Sequence, residues 1–295
     1  MTHSRHTMFR PPAEAGSILV RVADGCPHNA CAFCAMYRGV PYREHAMEDI
    51  ERSIAGAARL QPDARRVFLA DGDVLALPAA ALGAILQRLR TAFPRLSRVN
   101  CYASGQALAA KTDAELAELR RAGLHTLYLG LESGAQEVLD AMAKAGTVEA
   151  MVDGCRRAMG EGLSVSVMVL LGVGGRDLSA VHARQTAAAL NAMQPDLLSF
   201  LRLVPVPGTP LWRRIESGRF RQLTEEESVR EARAILAGLD LRRTVFRADH
   251  GSNVLLQAGR LPRDRDALLA ELDELLRCGV LDGEGPGPGP MPAML

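Results

Sequence analysis

Short apolar segments rich in β-branched and aromatic residues alternate with longer segments of helical periodicity along residues 18–203. The apolar segments are residues 18–22, 67–70, 98–102, 126–129, 164–171 and 197–203. Their starts follow one another at intervals of about 30–50 residues, the length of a strand and its crossover helix. Each is a continuous apolar run without polar alternation, as expected for parallel strands covered on both faces.

Helical segments lie between these strands, and several begin just after residues that favour a helix start. The predicted helices are residues 48–60, 79–93, 113–122, 148–161 and 178–193. Pro78, Thr112 and Asp177 precede three of them. Repeated βα units form a complete or partial barrel, or an open doubly wound sheet. Six units favour an α/β fold with a partial (βα)6 barrel.

The pattern changes after residue 203. A Pro-rich turn at 204–210 is followed by a helix around 225–239, a short run at 244–247 and a final helix at 263–277. We interpret residues 1–17 as an N-terminal segment, 18–210 as the barrel, 211–282 as a C-terminal helical extension packed on it, and 283–295 as a disordered Gly/Pro tail.

Composition narrows the class of protein. The 35 Lys and Arg residues balance the 34 Asp and Glu residues to a formal net charge of +1, so no overall field attracts nucleic acid or an anionic membrane. We therefore favour a small-molecule or peptide substrate over nucleic acid, which would need a local Arg patch such as Arg213-Arg214 or Arg242-Arg243. No apolar run approaches the ~20 residues that span a bilayer, and no signal-peptide core is visible near the N-terminus. We expect a cytoplasmic protein with no membrane partner.

The six cysteines are unevenly distributed. Cys26, Cys31 and Cys34 follow the first predicted strand closely, whereas the other three are isolated and fit buried small hydrophobes. In βα folds the carboxyl ends of the strands carry the chemistry, so the three thiols stand where a reaction centre is expected. They fit a zinc site with His28 as a fourth ligand. They also fit a four-iron cluster whose fourth iron is open to an exogenous ligand.

The segment Cys26-Pro-His-Asn-Ala-Cys31-Ala-Phe-Cys34 resembles the cluster loop of the radical S-adenosylmethionine (SAM) superfamily. Phe33 matches the aromatic residue in the usual Cys-x-aromatic-Cys ending of that loop. Most members have three residues between the first two cysteines, and this sequence has four. The resemblance implies a partial (βα)6 barrel in which three cysteines hold a 4Fe-4S cluster and SAM binds the open iron.

The stretch Asp71-Gly72-Asp73 after the second strand looks like the Gly-Gly-Glu-like turn with which the family holds the amino group of SAM. A carboxylate facing an ammonium group makes charge-assisted hydrogen bonds, which suits this role. A plain Asp-Gly turn that ends the strand is the alternative.

Further along, the sequence is similar to the subgroup that includes methylthiotransferases and anaerobic coproporphyrinogen-oxidase-like proteins. Glu132 and Ser133 match its Gly-x-Glu-Ser stretch, although Glu132 also fits a carboxylate at a helix N-terminus. The resemblance places Gly172, in a Gly-rich stretch after the fifth strand, near SAM. It places Val204, just before the 206–210 turn, beside the adenine.

A late polar segment contains Arg247, His250 and Asn253. Because it follows the six βα units, it is placed to close a cofactor-bearing barrel mouth over a substrate. An exposed polar loop without a binding role is the alternative.

The resemblance implies an enzyme that reductively cleaves SAM to a 5′-deoxyadenosyl radical, which abstracts hydrogen from a small-molecule or peptide substrate. It also implies an electron donor such as flavodoxin or ferredoxin. A carrier or chaperone that retains cluster and SAM without turnover is one alternative, and a zinc-stabilised (βα) enzyme is another.

Overall fold

The computed structural model describes residues 7–282. The predicted Gly/Pro tail at 283–295 and the first six residues of the predicted N-terminal segment lie outside this range. The chain divides into two compact units. Unit 1 comprises Met1–Gly130 and Glu149–Ser166, and unit 2 comprises Leu131–Val148 and Val167–Leu295.

The strands of the described chain form two sheets. In chain order they are β1 (Ile18–Arg21), β2 (Ala23–Asp24), β3 (Arg43–Glu44), β4 (Arg66–Ala70), β5 (Arg98–Ala103), β6 (Leu124–Glu132), β7 (Ser164–Leu171), β8 (Leu197–Arg202), β9 (Thr244–Arg247) and β10 (Ala258–Leu261). The larger sheet has eight strands in the order β1-β4-β5-β6-β7-β8-β9-β10. The short strands β2 and β3 pair antiparallel with each other.

Parallel pairing dominates the larger sheet. It joins β1 to β4, β4 to β5 and β5 to β6, and it joins β8 to β9, whereas β10 runs antiparallel to β9. In the first pair Ile18 lies opposite Val67. Among the described strands β1 and β10 are the two ends of the sheet, as a partial barrel requires. The predicted α/β class is therefore confirmed.

Helices follow most of the strands. They are α1 (Met47–Leu60), α2 (Ala79–Ala92), α3 (Gly105–Ala110), α4 (Asp113–Ala122), α5 (Gln136–Ala141), α6 (Val148–Gly160), α7 (Gly175–Met193), α8 (Pro210–Glu216), α9 (Glu225–Ala237) and α10 (Arg265–Cys278). Thr112 caps α4 in a capping box with Glu115, as its position before the predicted helix indicates. Helix α7 begins earlier than predicted, and Asp177 lies in its first turn, where the helix dipole favours a carboxylate.

The segment predicted as a helical extension also contributes two strands to the main sheet. The run at 244–247 forms β9 beside β8, and β10, which the sequence analysis did not predict, pairs with β9. Phe246 on β9 is buried and packs edge to face on Phe200 of β8, with ring centroids 5.0 Å apart. This aromatic pair gives the short run an apolar face to bury against the neighbouring strand.

The central strands are covered on both faces. Three consecutive residues of β4, Val67, Phe68 and Leu69, are completely buried. Successive side chains of a strand point to opposite faces, so both faces of β4 are packed. The continuous apolar run in the sequence reflects this two-sided burial. Across residues 7–282, none of the helices combines the length and hydropathy that a membrane crossing requires.

A buried carboxylate ties the N-terminal segment to the sheet of unit 1. Glu14 accepts hydrogen bonds from Asn100 Nδ2 at 2.8 Å, Tyr128 Oη at 2.6 Å and Ser17 Oγ at 2.5 Å. Three donors surround this carboxylate, which offsets the cost of removing its charge from water. The segment before β1 is thus anchored to β5 and β6, a connection that local sequence patterns did not reveal.

Candidate functional site

The cysteine loop (residues 26–34) follows β1 and β2 in unit 1, and its three thiol side chains are half-buried. Gly25, just before the loop, has a φ of +74°, and a Cβ atom there would lie 2.9 Å from the Val40 carbonyl oxygen. Asn29 has a φ of +40° and donates from Nδ2 to the Tyr37 carbonyl at 2.8 Å. Asn tolerates this left-handed backbone better than most residues. Asn29 is one of the four residues in the longer first spacing, and its amide fixes that part of the loop.

The Asp-Gly-Asp turn (Asp71, Gly72 and Asp73) at the carboxyl end of β4 lies directly against the cysteine loop. The Gly72 N–H donates to the Gly25 carbonyl at 3.1 Å. A Cβ atom on Gly72 would lie 2.6 Å from Tyr37 Cε2 and 3.0 Å from Cys26 Cβ. The backbone of the loop and that of the turn therefore touch, and a side chain at residue 72 would separate them. The structure thus brings together the two motifs that the sequence analysis singled out.

Asp71 belongs to a network of charged side chains that also includes Arg21 and Asp24. Its Oδ2 lies 3.4 Å from Arg21 Nε, and Arg21 NH1 lies 3.8 Å from Asp24 Oδ1. Asp24 also contacts His45 at 3.1 Å and Arg43 at 2.9 Å. Burial alone would raise the pKa of Asp24, but the hydrogen bonds from Arg43 and His45 hold it below its ordinary value. Because the Asp71 carboxylate faces Arg21, it fixes the end of β4 against the end of β1.

Asp73 is buried and reaches a different strand end. Its Oδ1 accepts the Ser104 N–H at 3.1 Å, and Ser104 caps α3 directly after β5 by accepting the Ala107 N–H. The carboxylate of Asp73 is therefore held between the ends of β4 and β5, close to the cysteine loop. The predicted contact of this turn with the SAM amino group stays a prediction.

Tyr37 is a site residue that the sequence analysis missed. Its ring is buried against the backbone of Gly72 and stacks edge to face on Phe9, with centroids 5.7 Å apart. Burial raises the pKa of its hydroxyl above the ordinary value, and the neighbouring Asp71 and Cys26 act in the same direction. An aromatic residue shortly after the last cysteine was the available signal. Phe33, the aromatic residue predicted at this site, is half-buried within the loop.

The described residues show no group of three His, Cys, Asp or Glu side chains arranged to hold a single metal ion. Cys26, Cys31 and Cys34 are thiols on one short loop, beside the Asp-Gly-Asp turn.

A second set of predicted residues lies in unit 2 at the carboxyl ends of β6 and β7. Glu132 has a φ of +62°, and its Oε1 lies 3.2 Å from Lys144 Nζ. Ser133 is completely buried, and its Oγ lies 2.8 Å from His182 Nδ1. Gly172 is buried with a φ of +80°, a conformation that favours glycine.

The third set, in the loop between β9 and β10, is anchored to β8. Asn253 Nδ2 donates to the carbonyls of Phe200 at 2.7 Å and Ala248 at 3.0 Å. His250 Nδ1 lies 2.8 Å from Ser252 Oγ, and burial lowers the His250 pKa below its ordinary value. Asn253 therefore holds the loop in place.

Two other predicted residues of unit 2 are more accessible. Arg247 is exposed, with its Nε 3.9 Å from Asp249 Oδ2, and Val204 is half-buried just after β8. The predicted contact of Arg247 with substrate stays a prediction, as does that of Val204 with adenine.

Comparisons with known proteins find a family match over a range that includes the cysteine loop. The family model of the radical SAM superfamily matches residues 20–185, more than half of the chain. An uncharacterized methyltransferase of Pyrococcus horikoshii is 26% identical over 199 residues, which cover 66% of this chain and 41% of that protein. The chain thus spans about two fifths of this curated relative.

Solved structures show the same fold. The radical SAM methyltransferase TsrM of Kitasatospora setae, with cobalamin and a 4Fe-4S cluster bound, aligns with a TM-score of 0.55 and 18% identity. The alignment covers 68% of this chain and 39% of TsrM. Methylornithine synthase (PylB) aligns with a TM-score of 0.54 and 17% identity, covering 88% of this chain and 81% of that one.

Proposed function

The chain belongs to the radical SAM superfamily, and from this membership we propose that Cys26, Cys31 and Cys34 hold a 4Fe-4S cluster whose fourth iron takes SAM. Members of the superfamily bind this cluster and SAM, and they are enzymes. When bound, the two cofactors supply a 5′-deoxyadenosyl radical that abstracts hydrogen from a substrate. The observation that carries the assignment is the contact between the cysteine loop and the Asp-Gly-Asp turn, at Gly72.

The residues around the proposed cluster have distinct tasks. Gly72 and Gly25 join the loop to the end of β4 through a backbone hydrogen bond. Asp71 neutralises Arg21, and Asp73 presents its carboxylate beside the loop while accepting the Ser104 N–H. The residues of β4 that lead to the turn, Val67, Phe68, Leu69 and Ala70, are completely buried. In this arrangement Asp73, rather than Asp71, is the carboxylate proposed to bind the SAM amino group.

Replacing Asp73 is expected to weaken SAM binding while the protein keeps its iron. A charge-assisted hydrogen bond is worth about 1.5–3 kcal/mol, so we expect a Kd about 10–100 times higher for Asp73→Ala. Asp73→Asn retains an acceptor for the Ser104 N–H and removes the charge. It should therefore weaken binding with α3 intact. Isothermal titration of anaerobically reconstituted protein with SAM measures the effect.

The matched control is Asp63→Ala, which removes an exposed carboxylate that lies between α1 and β4 and is paired with Arg95. Its SAM affinity should equal that of the wild type. If Asp73→Asn also binds SAM with wild-type affinity, Asp73 only ends the strand and caps α3, and the proposed contact with SAM is wrong.

Substrate and reductant follow from the same proposal. We infer a small-molecule or peptide substrate and a one-electron donor of the flavodoxin or ferredoxin kind. Deuterium transfer from a labelled candidate substrate into 5′-deoxyadenosine would support hydrogen abstraction. A protein that retains cluster and SAM without turnover would show no such transfer with any substrate.

Methyl transfer is a second candidate, favoured by the similarity to the uncharacterized methyltransferase of Pyrococcus horikoshii over 66% of this chain. The two reactions leave different products from SAM. Methyl donation from SAM yields S-adenosylhomocysteine, whereas reductive cleavage yields methionine and 5′-deoxyadenosine. Chromatography of the reaction mixture distinguishes them.

A further inference from the structure

Helix α9 of unit 2 carries a buried carboxylate that contacts the glycine turn (residues 172–175) after β7. Glu231 Oε1 accepts the Gly172 N–H at 2.6 Å, and its Oε2 accepts the Ser179 hydroxyl. Glu231 is nearly inaccessible to solvent. It also lies outside residues 20–185, which match the family model. Burial raises the pKa of Glu231 to about 7, and the hydrogen bonds from Ser179 and Gly172 act in the opposite direction, so these two donors offset part of the cost of burying the charge.

His182 on α7 lies between Glu231 and Ser133, the first residue after β6. Its ring is completely buried, with Nδ1 2.8 Å from Ser133 Oγ and Nε2 3.6 Å from Glu231 Oε1. Burial lowers the His182 pKa to about 4, so the ring is neutral at neutral pH. Ser133 Oγ already accepts the Ala135 N–H, and we assign its proton to Nδ1. The ring proton then lies on Nε2, 3.6 Å from Glu231 Oε1, which is an electrostatic contact and not a hydrogen bond.

This Ser133, His182 and Glu231 arrangement does not act on a substrate directly. Ser133 and His182 have no solvent-exposed surface, so no substrate reaches the hydroxyl. The ring nitrogen next to Ser133 is Nδ1, and the carboxylate faces Nε2, the reverse of a hydrolytic triad. Ser133 accepts the Ala135 N–H in the turn after β6, and Glu231 accepts the Gly172 N–H in the turn after β7. Positioning these two turns is the role that fits the three side chains.

The same C-terminal segment holds the rest of the glycine turn. A Cβ atom on Gly175 would lie 2.9 Å from the Arg221 carbonyl oxygen, and that carbonyl accepts the Arg176 N–H at 2.9 Å. The turn after β6 is equally confined, because a Cβ atom on Gly134 would lie 2.4 Å from the Gln185 carbonyl oxygen of α7. Both turns therefore have little freedom to move unless α7 or the 221–231 segment moves with them.

We propose that Glu231, with His182, is a positioning residue that fixes the glycine turn for SAM. This inference rests on the proposed function and on the resemblance that places Gly172 near SAM. Glu231 accepts the Gly172 N–H, and the His182 ring lies between Glu231 and Ser133. Helix α9 thereby positions the glycine turn although it contributes no ligand.

The test compares Glu231→Ala and Glu231→Gln with Glu226→Gln as the matched control. Glu226 lies on the same helix but is paired with Arg230 at the surface. Hydrogen exchange of the 172–177 peptide, measured without SAM, reports directly on the turn. SAM affinity is measured on anaerobically reconstituted protein. We expect Glu231→Ala to speed exchange at least tenfold and to raise the SAM Kd at least tenfold.

The conservative variant separates positioning from general stability. Glu231→Gln keeps an acceptor for the Gly172 N–H, so it should restore most of the exchange protection and raise the Kd less than threefold. If Glu231→Ala does not fold, Ser179→Ala, which removes one donor to the same carboxylate, takes its place with an expected rise of about threefold in Kd. Glu226→Gln should match the wild type in both measurements.

Two results would overturn the proposal. The first is that folded Glu231→Ala shows unchanged exchange of the 172–177 peptide. The second is that exchange becomes faster while SAM affinity stays at the wild-type value. If Glu231→Ala does not fold, the same two criteria apply to Ser179→Ala. Failure of the proposed function is distinguishable, because the wild-type protein itself would then bind neither iron nor SAM after reconstitution.

Discussion

Cys31→Ala is expected to lose most of the iron that the wild-type protein takes up on anaerobic reconstitution. Three cysteines bind three of the four irons and leave the fourth open. Without Cys31, only two thiolates would hold the cluster. We expect about four iron atoms per chain in the wild type and less than one in the variant. The broad visible absorption of the cluster should disappear in parallel. Iron analysis together with absorption spectroscopy measures both effects.

Cys278→Ala is the matched control, because Cys278 is an exposed cysteine at the end of α10. It should retain wild-type iron content. The unfolding of the metal-free proteins should be the same for both variants and the wild type, which shows that iron loss is not a folding defect. Wild-type iron content in Cys31→Ala would remove this cysteine from the cluster site.

Gly72→Ala is expected to destabilise the protein and to impair cluster assembly. The new methyl group would lie 2.6 Å from Tyr37 Cε2 and 3.0 Å from both Cys26 Cβ and the Gly25 carbonyl oxygen. Overpacking of this kind costs about 1–3 kcal/mol of unfolding free energy. Since relief requires Cys26 or Tyr37 to move, iron uptake should fall as well. Urea denaturation and iron analysis provide the two measurements.

Gly83→Ala on α2 provides the opposite expectation. A Cβ atom there meets no atom within 4 Å, and alanine is favoured over glycine in a helix by about 0.5–1 kcal/mol. This variant should be slightly more stable than the wild type and should take up iron normally. A Gly72→Ala protein as stable as Gly83→Ala would show that the cysteine loop does not pack tightly against the Asp-Gly-Asp turn.

Local patterns predicted the parts of the fold that depend on neighbours in sequence. Six apolar runs marked β1 and β4 to β8, because burial on both faces leaves a continuous hydrophobic segment. Thr112 marked the start of α4 because capping is a local interaction. The strand β10 carried no such signal, since its Ala258 and Gly259 are weak strand formers that join the sheet by pairing with β9.

The candidate site was predictable only in part, because some of its contacts join residues that are distant in sequence. The cysteine spacing and the Asp-Gly-Asp turn are short motifs, and the fold brings them into contact. The Arg21 to Asp71 ion pair and the Glu231 hydrogen bond to Gly172 join residues far apart in sequence. Such pairs depend on which strands become neighbours and on where α9 packs. Neither charge nor spacing along the chain indicates them.

The most direct test of the proposed cluster is electron paramagnetic resonance of the reconstituted, dithionite-reduced protein before and after addition of SAM. An iron that the protein leaves open should give a reduced-cluster signal whose shape and position change when SAM binds. A signal that SAM leaves unaltered, or a protein that takes up zinc in place of iron, would contradict the assignment of Cys26, Cys31 and Cys34.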